Sequence, residues 1–110
     1  MISVLTLTYQ RHHILEEAIQ SFLEQKCSDI EMVVINDSPE VRYKYSHPQV
    51  TIINHPTRFS SVGKKLEWGY KQCKYPFVYR LDDDDLLGPN ALEIVKESIV
   101  SNQGFDIYRS

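Results

Sequence analysis

The stretch of sequence that decides the fold is FVYRLDDDD, residues 77–85. Its first five residues form a largely apolar run that is typical of a β-strand, and the next four are all aspartate. The strand therefore delivers four negative charges into one loop at its carboxyl end. In open sheets of parallel strands, ligands bind outside the carboxyl ends of the strands, so this stretch indicates both an architecture and the position of a site.

The four carboxylates, Asp82 to Asp85, repel one another, and a nearby cation would offset the cost of keeping them ionised. Mg²⁺ and Mn²⁺ fit this chemistry because they prefer oxygen ligands and typically combine one or two protein carboxylates with water and substrate phosphate. Helix capping is an alternative, but the next helical pattern begins near Pro89, so at most Asp85 lies close enough to cap it. Solvated loop charge is the third interpretation. We favour a metal and diphosphate site.

Strand and helix patterns alternate along the rest of the chain. Branched apolar runs predict strands at residues 2–7, 31–35, 50–53, 77–81 and 105–108. Apolar residues at helical spacing predict helices over residues 14–23, 62–73 and 89–100, the second capped by Ser60 or Ser61. This alternation predicts an α/β, Rossmann-like fold: an open, mostly parallel sheet of four to five strands with about three helices.

Polar residues follow each predicted strand, so one edge of the sheet carries most of the chemistry. They are Thr8-Tyr9-Gln10-Arg11, Asn36-Asp37-Ser38, Asn54-His55 and the aspartate run. Neither G-x-G-x-x-G nor G-x-x-x-x-G-K-[ST] occurs, which excludes the usual dinucleotide fingerprint and the P-loop. Phosphate would therefore be held by metal and by basic side chains, for which the candidates are Arg58, Lys64, Lys65 and Arg80.

The composition of the 110 residues is that of an ordinary globular chain, with 42% hydrophobic and 25% charged residues. A formal net charge of −3 argues against nucleic-acid binding, which needs a basic surface. No apolar run reaches the roughly 20 residues of a membrane span, and the first residues lack a basic leader, so we expect a cytoplasmic protein. Cys27 and Cys73 have no ligand-like spacing and are expected to be reduced and structural.

Four segments together resemble the family 2 glycosyltransferases of the GT-A fold. They are TYQR at 8–11, VVINDS at 33–38, LDDDDL at 81–86 and PNALE at 89–93, and their order and intervals match over about residues 2–93. The resemblance implies a nucleotide-sugar donor, with a UDP-sugar expected, and an unidentified saccharide or other hydroxyl acceptor. It also implies Mn²⁺ or Mg²⁺ as cofactor.

The same resemblance implies roles for individual residues. Tyr9 and Arg11 would lie beside the nucleotide base, and Asp37 would accept a hydrogen bond from a ring N–H, as expected for uracil. Thr8, Lys65 and Asp83 are further candidates for nucleotide binding. Asp82 would face the ribose and reach the metal, while Asp84 would be the principal metal ligand; Asp83 and Asp85 are supporting candidates.

Two departures from the family pattern leave the mechanism open. Leu66-Glu67 stand where many members carry Arg-Asn, and the chain ends at Ser110, whereas family members continue into an acceptor-binding half that supplies the general base. We therefore expect residues 1–110 to be one donor-binding domain without the acceptor half, which self-association or a partner would then have to supply. The residues do not identify a catalytic base, and Asp85 is a candidate for orienting an attacking water.

Three alternatives to glycosyl transfer stay open. One is a non-catalytic module that binds a nucleotide or nucleotide-sugar, and another is slow hydrolysis of the donor. The third is an aspartate-nucleophile phosphotransferase, which also places D-x-D at a strand end. That alternative is disfavoured because such enzymes commonly use the first strand, whereas this acidic run follows the fourth.

Overall fold

The computed structural model describes residues 1–100 and the backbone of residues 108–109. Its elements follow the predicted order. In chain order they are β1 (Ile2–Thr8), α1 (His12–Leu23), β2 (Ile30–Asn36), β3 (Val50–Asn54), α2 (Val62–Gln72), β4 (Phe77–Arg80), α3 (Ala91–Val100) and β5 (Tyr108–Arg109). Of the fifth strand predicted at 105–108, residues 105–107 lie outside the described residues.

The strands form one sheet in the order β3-β2-β1-β4-β5. β1 is parallel to both β2 and β4, β2 is parallel to β3, and β5 runs antiparallel to β4. The predicted α/β, Rossmann-like, mostly parallel sheet is therefore confirmed. The chain builds outward from β1 through β2 to β3 and then returns to the other side of β1 as β4, so the strand order reverses beside β1, where such sheets form ligand crevices.

Helices cover both faces of this sheet because the strand side chains alternate between them. On one face Ile2, Val4, Met32 and Val34 pack with Leu15, Ala18, Ile19 and Phe22 of α1 and with Leu92 and Val95 of α3. On the other face Leu5, Val33, Ile35 and Val78 pack with Leu66, Trp68, Tyr70 and Cys73, which belong to α2 or its carboxyl end. Side chains one residue apart at a strand end therefore meet different helices.

Two residues fix how α2 sits against the sheet. Ser61 caps its amino end, since the backbone N–H of Lys64 donates to Ser61 Oγ at 3.2 Å; this confirms one of the two predicted caps. Gly69 allows close approach: a Cβ built on it would lie 3.0 Å from Leu5 Cδ1 and 3.4 Å from Ile35 Cγ1. The helix consequently lies near enough to the sheet for Lys65, one turn earlier, to reach the strand ends.

Both cysteines are free, as expected. Burial, followed by the nearby Glu31 carboxylate, raises the pKa of Cys73 to about 11. In the part of the chain that the structure describes, every helix is too short or too polar to cross a membrane.

Candidate functional site

The site begins where β1 ends. Thr8, the last residue of β1, is only 4% exposed, and both its polar atoms are engaged: its hydroxyl donates to Asp83 Oδ2 at 2.9 Å and its carbonyl accepts from Lys65 Nζ at 2.7 Å. Two residues later Gln10 adopts a left-handed backbone with φ of 55°, a conformation that costs a non-glycine residue free energy and that clusters at functional sites. This turn lets α1 begin immediately after Arg11.

Strand register decides which aspartate faces β1. Arg80 is the last residue of β4 to pair with β1, opposite Leu5, and the Leu81 N–H then donates to the Leu5 carbonyl at 3.0 Å, so the acidic run leaves β4 beside the last residues of β1. Asp83 is accordingly buried and bonded to Thr8, while its three neighbours in the run are exposed. Asp83 thus ties the acidic loop to the end of β1.

The other three aspartates form a separate group. Asp82, Asp84 and Asp85 are exposed, and one carboxylate oxygen from each lies within 4.8 Å of the others. The backbone N–H of Asp85 donates to the carbonyl of Asp82 at 3.0 Å, and this turn folds the three side chains toward one another. Three carboxylate oxygens suit a hard divalent cation such as Mg²⁺ or Mn²⁺, so the group could hold the predicted ion with Asp84 and Asp82, and Asp85, one of the two supporting candidates, is the third acid.

Arg11 bridges Asp83 and this exposed group. Its guanidinium nitrogen lies 3.3 Å from Asp83 Oδ1 and 3.6 Å from Asp84 Oδ2. The Arg11 side chain is half exposed, so these contacts contribute little to the free energy of folding. They do place one positive charge against an acid that the sequence assigns to the metal.

Asp37 and Lys65 form a buried ion pair on the α2 face of the same edge. Lys65 Nζ lies 2.6 Å from Asp37 Oδ1, and the backbone N–H of Phe59 donates to Asp37 Oδ2 at 2.9 Å. Burial works against ionisation of Asp37, but the hydrogen bonds from Lys65 and Phe59 outweigh it, so the pKa of Asp37 is lower than that of an ordinary aspartate. Asp37 is therefore an ionised acceptor.

Two adjoining cavities open at this edge. The larger, of about 480 Å³, is lined by Tyr9, Asp37, Arg58, Phe59, Ser60, Ser61, Val62 and Lys65. The smaller, of about 330 Å³, shares Tyr9, Arg58, Val62 and Lys65 with it and adds Leu7, Thr8, Arg11, Arg80 and Asp83. Four cationic side chains and one carboxylate thus surround the smaller cavity, an environment that favours an anion. Lys64 lines neither cavity.

Two contacts in the larger cavity are not predicted by the sequence. The guanidinium of Arg58, a phosphate candidate, lies over the ring of Tyr9, 4.0 Å from the centroid. The backbone N–H of Phe59 completes the contacts of Asp37, and no residue type in the sequence signals a backbone donor. Phe59 is held in place because its ring contacts those of His55 and Trp68. Trp68 is thus a packing residue.

The chain is similar to known proteins in both sequence and structure. The family model described as glycosyl transferase family 2 matches residues 3–105. An "Uncharacterized glycosyltransferase" of Haemophilus influenzae is 27% identical over 106 residues, which make up 93% of this chain and 35% of that protein.

Solved structures share the fold. S. aureus TarS superposes with a TM-score of 0.74 at 21% identity, over 91% of this chain and 19% of TarS. The fragment TarS 1–349, solved in complex with UDP-GlcNAc, gives a TM-score of 0.74 at 20% identity over 91% of this chain and 31% of the fragment. The mannosyltransferase PcManGT from Pyrobaculum calidifontis, solved with GDP-Man and Mn²⁺, gives 0.65 at 19% identity over 84% of this chain and 30% of that one. The chain spans about a third or less of each of these relatives.

Proposed function

Because the chain belongs to glycosyl transferase family 2, we propose that it binds a UDP-sugar together with a divalent cation and forms the donor side of a glycosyl transfer. One observation carries this proposal: an oxygen-rich acidic group, a cation-lined cavity and a buried, ionised acceptor meet at the edge where the strand order reverses. TarS 1–349 with UDP-GlcNAc and PcManGT with GDP-Man and Mn²⁺ share this fold, which supports a donor of the nucleotide-sugar class.

The nucleotide base is assigned to the larger cavity. Tyr9 offers an aromatic face to a planar ring, and Asp37 offers a carboxylate oxygen to a ring N–H such as N3–H of uracil. Arg58 lies over Tyr9, so it would slide off or stack on the outer face of the base when the ring enters.

The diphosphate is assigned to the smaller cavity. Arg11, Arg58 and Arg80 surround it, and their guanidinium groups can each donate two parallel hydrogen bonds to phosphate oxygens. Lys65 already donates to Asp37 and to the Thr8 carbonyl, so it contributes to phosphate binding its charge and the one N–H donor that remains.

Asp84 and Asp82 are assigned to the Mn²⁺ or Mg²⁺ ion, with Asp85 as third acid. When bound, such an ion neutralises the charge that develops on the departing nucleoside diphosphate. Asp83 would act differently from its neighbours: its bonds to Thr8 and Arg11 hold the acidic loop beside the diphosphate cavity. Among the residues that the structure describes, we assign no general base and no acceptor site.

The proposal is tested by calorimetric titration of UDP, GDP and CDP into the chain with and without Mn²⁺. We expect UDP to bind best and to need the metal. Asp84→Ala should remove the effect of the metal, so that its affinity for UDP with Mn²⁺ equals its affinity without Mn²⁺. Asp37→Ala should reduce the preference for UDP. Glu17→Ala removes one exposed acid from α1, away from the site, and is the matched control that should behave like the native chain.

Turnover is measured separately with radiolabelled UDP-sugars. Metal-dependent UDP binding without transfer or hydrolysis would favour the binding-module alternative. Absence of UDP binding at saturating Mn²⁺, or equal binding by the Asp84→Ala variant and the native chain, would refute the site assignment.

A further inference from the structure

Lys65 is the most deeply placed cation of the site. It is 7% exposed, and its ammonium reaches from α2 between the ends of β1 and β2, where it donates to the Thr8 carbonyl at 2.7 Å and to Asp37 Oδ1 at 2.6 Å. A buried lysine needs such partners because taking its charge out of water is costly. The proposed function uses Lys65 for phosphate binding only.

The partner carboxylate is equally fixed. Asp37 is 2% exposed, and each of its oxygens already accepts one hydrogen bond, from Lys65 and from the Phe59 N–H. An ionised carboxylate has about four acceptor positions and no donor. Toward the larger cavity Asp37 can therefore only accept hydrogen bonds, and the two existing bonds set the direction of its free lone pairs.

We propose that Lys65 is a specificity-determining residue of the base site: by holding Asp37 as a fixed, donor-free acceptor, it makes the cavity choose bases with a ring N–H and reject cytosine. This inference rests on the proposed function. Uracil presents N3–H at its pairing edge, whereas cytosine presents a lone pair on N3, which would face the carboxylate unpaired. A lost hydrogen bond to a charged group corresponds to about a 10- to 100-fold difference in affinity.

The pH dependence of base discrimination distinguishes this role of Lys65 from structural support alone. The groups facing Asp37 are the Lys65 ammonium from α2 and the Phe59 N–H; Tyr9 and Arg58 line the same cavity, with Arg58 over the Tyr9 ring. Replacing Lys65 by methionine leaves Asp37 buried without its cation, so the pKa of Asp37 should rise. A protonated carboxyl can donate to N3 of cytosine, and discrimination should then weaken as the pH falls.

The experiment measures the ratio of the CDP and UDP dissociation constants at saturating Mn²⁺ and at pH 8, 7 and 6. The two ligands share a diphosphate, so changes in metal or phosphate binding cancel in this ratio. The native chain should give a ratio of at least about 10 at pH 8. Lys65→Met should give a smaller ratio that falls more steeply toward pH 6 than the native ratio does, while Lys65→Arg, which keeps the charge, should follow the native pH dependence.

Lys71→Met is the matched control, since Lys71 is an exposed cation in the last turn of the same helix; it should retain the native ratio. If Lys65→Met does not fold, Asp37→Asn provides the second test. Its amide can present either oxygen or NH₂ to the base, so the ratio should approach 1 at every pH.

A Lys65→Met chain that discriminates UDP from CDP as the native chain does, at all three pH values, would overturn the inference while leaving the proposed function intact. Asp37→Asn with a native ratio would overturn both the inference and the assignment of Asp37 to the base, while leaving metal-dependent binding of the diphosphate in place. A native chain that binds neither nucleotide would refute the proposed function itself, so the two failures are distinguishable.

Discussion

Replacing Gly69 by alanine tests how closely α2 must approach the sheet for the site to form. A Cβ at this position would lie 3.0 Å from Leu5 Cδ1, 3.2 Å from Leu5 Cδ2 and 3.4 Å from Ile35 Cγ1. Carbon atoms in van der Waals contact prefer about 3.5–4.0 Å, so the methyl group is about 0.5 Å too close to Leu5. Leu5 and Ile35 are fully buried and have little room to yield.

The expected cost follows from two opposing effects. Overpacking a dense core costs about 1–3 kcal/mol, whereas alanine in place of glycine within a helix stabilises it by about 0.5–1 kcal/mol. Packing should win because both neighbours are core side chains, which leaves a net destabilisation of about 1 kcal/mol. In a domain of this size that lowers the melting temperature by about 4–8 °C. Any outward shift of α2 would also lengthen the 2.6 Å contact between Lys65 and Asp37, so UDP affinity should fall too.

Gly63→Ala supplies the matched control in the same helix. The Cβ at Gly63 would meet only Ser61 Oγ, at 3.9 Å, so this substitution should stabilise the helix by up to about 1 kcal/mol. Urea unfolding followed by circular dichroism measures both variants against the native chain. If Gly69→Ala stabilises the chain as much as Gly63→Ala does, the packing argument for α2 is wrong.

Three further predictions concern the site and its supports. Arg11→Gln should raise the affinity for Mn²⁺ in the absence of nucleotide by up to about fivefold, because Arg11 competes with the ion for Asp84. The electron paramagnetic resonance of free Mn²⁺ measures this affinity, and Lys71→Gln is the control. Weaker Mn²⁺ binding by Arg11→Gln would contradict the prediction. Ser61→Ala should lower the free energy of unfolding, measured in urea, by about 1 kcal/mol because α2 loses its cap. An unchanged urea midpoint would show that the cap does not stabilise the chain. Cys73 should react with iodoacetamide at pH 8 about 100-fold more slowly in the native than in the unfolded chain, because a pKa of about 11 suppresses the thiolate; equal rates by mass spectrometry would argue against its burial.

The sequence predicted the fold well because the signals it uses are local. Strands and helices differ in the spacing of their apolar residues, so each can be predicted from a short segment. Because crossover connections between parallel strands are right-handed, alternating strands and helices are compatible with only a few topologies. The predicted boundaries differ from those of β1, β4 and α3 by one or two residues, as at Thr8 and Ala91. Helix and strand ends depend on caps and ladder contacts, which the apolar pattern does not record.

The site was predicted less completely because four identical residues in a row carry no information about their directions. The pairing of β4 with β1 brings the acidic run to the end of β1, and there Asp83 turns inward to Thr8 while Asp82, Asp84 and Asp85 are exposed. A register is a long-range property of two strands that lie far apart in the chain. Lys65 was named as a nucleotide-binding candidate for its charge, but its burial against Asp37 depends on how closely α2 packs on the sheet.

Thr8 connects the two halves of this edge, and its position suggests how base and metal binding influence each other. Its carbonyl holds Lys65, and hence Asp37, on the α2 face, while its hydroxyl holds Asp83, and hence Arg11 and the acidic loop, on the α1 face. A shift of β1 at Thr8 would move both partners together, because each bond is short and buried. Two ligands that both require the same position of Thr8 would each reduce the ordering cost of the other, which is positive coupling between sites. The physical origin of a metal requirement for nucleotide binding would then lie partly in this strand end and not only in the charge of the ion.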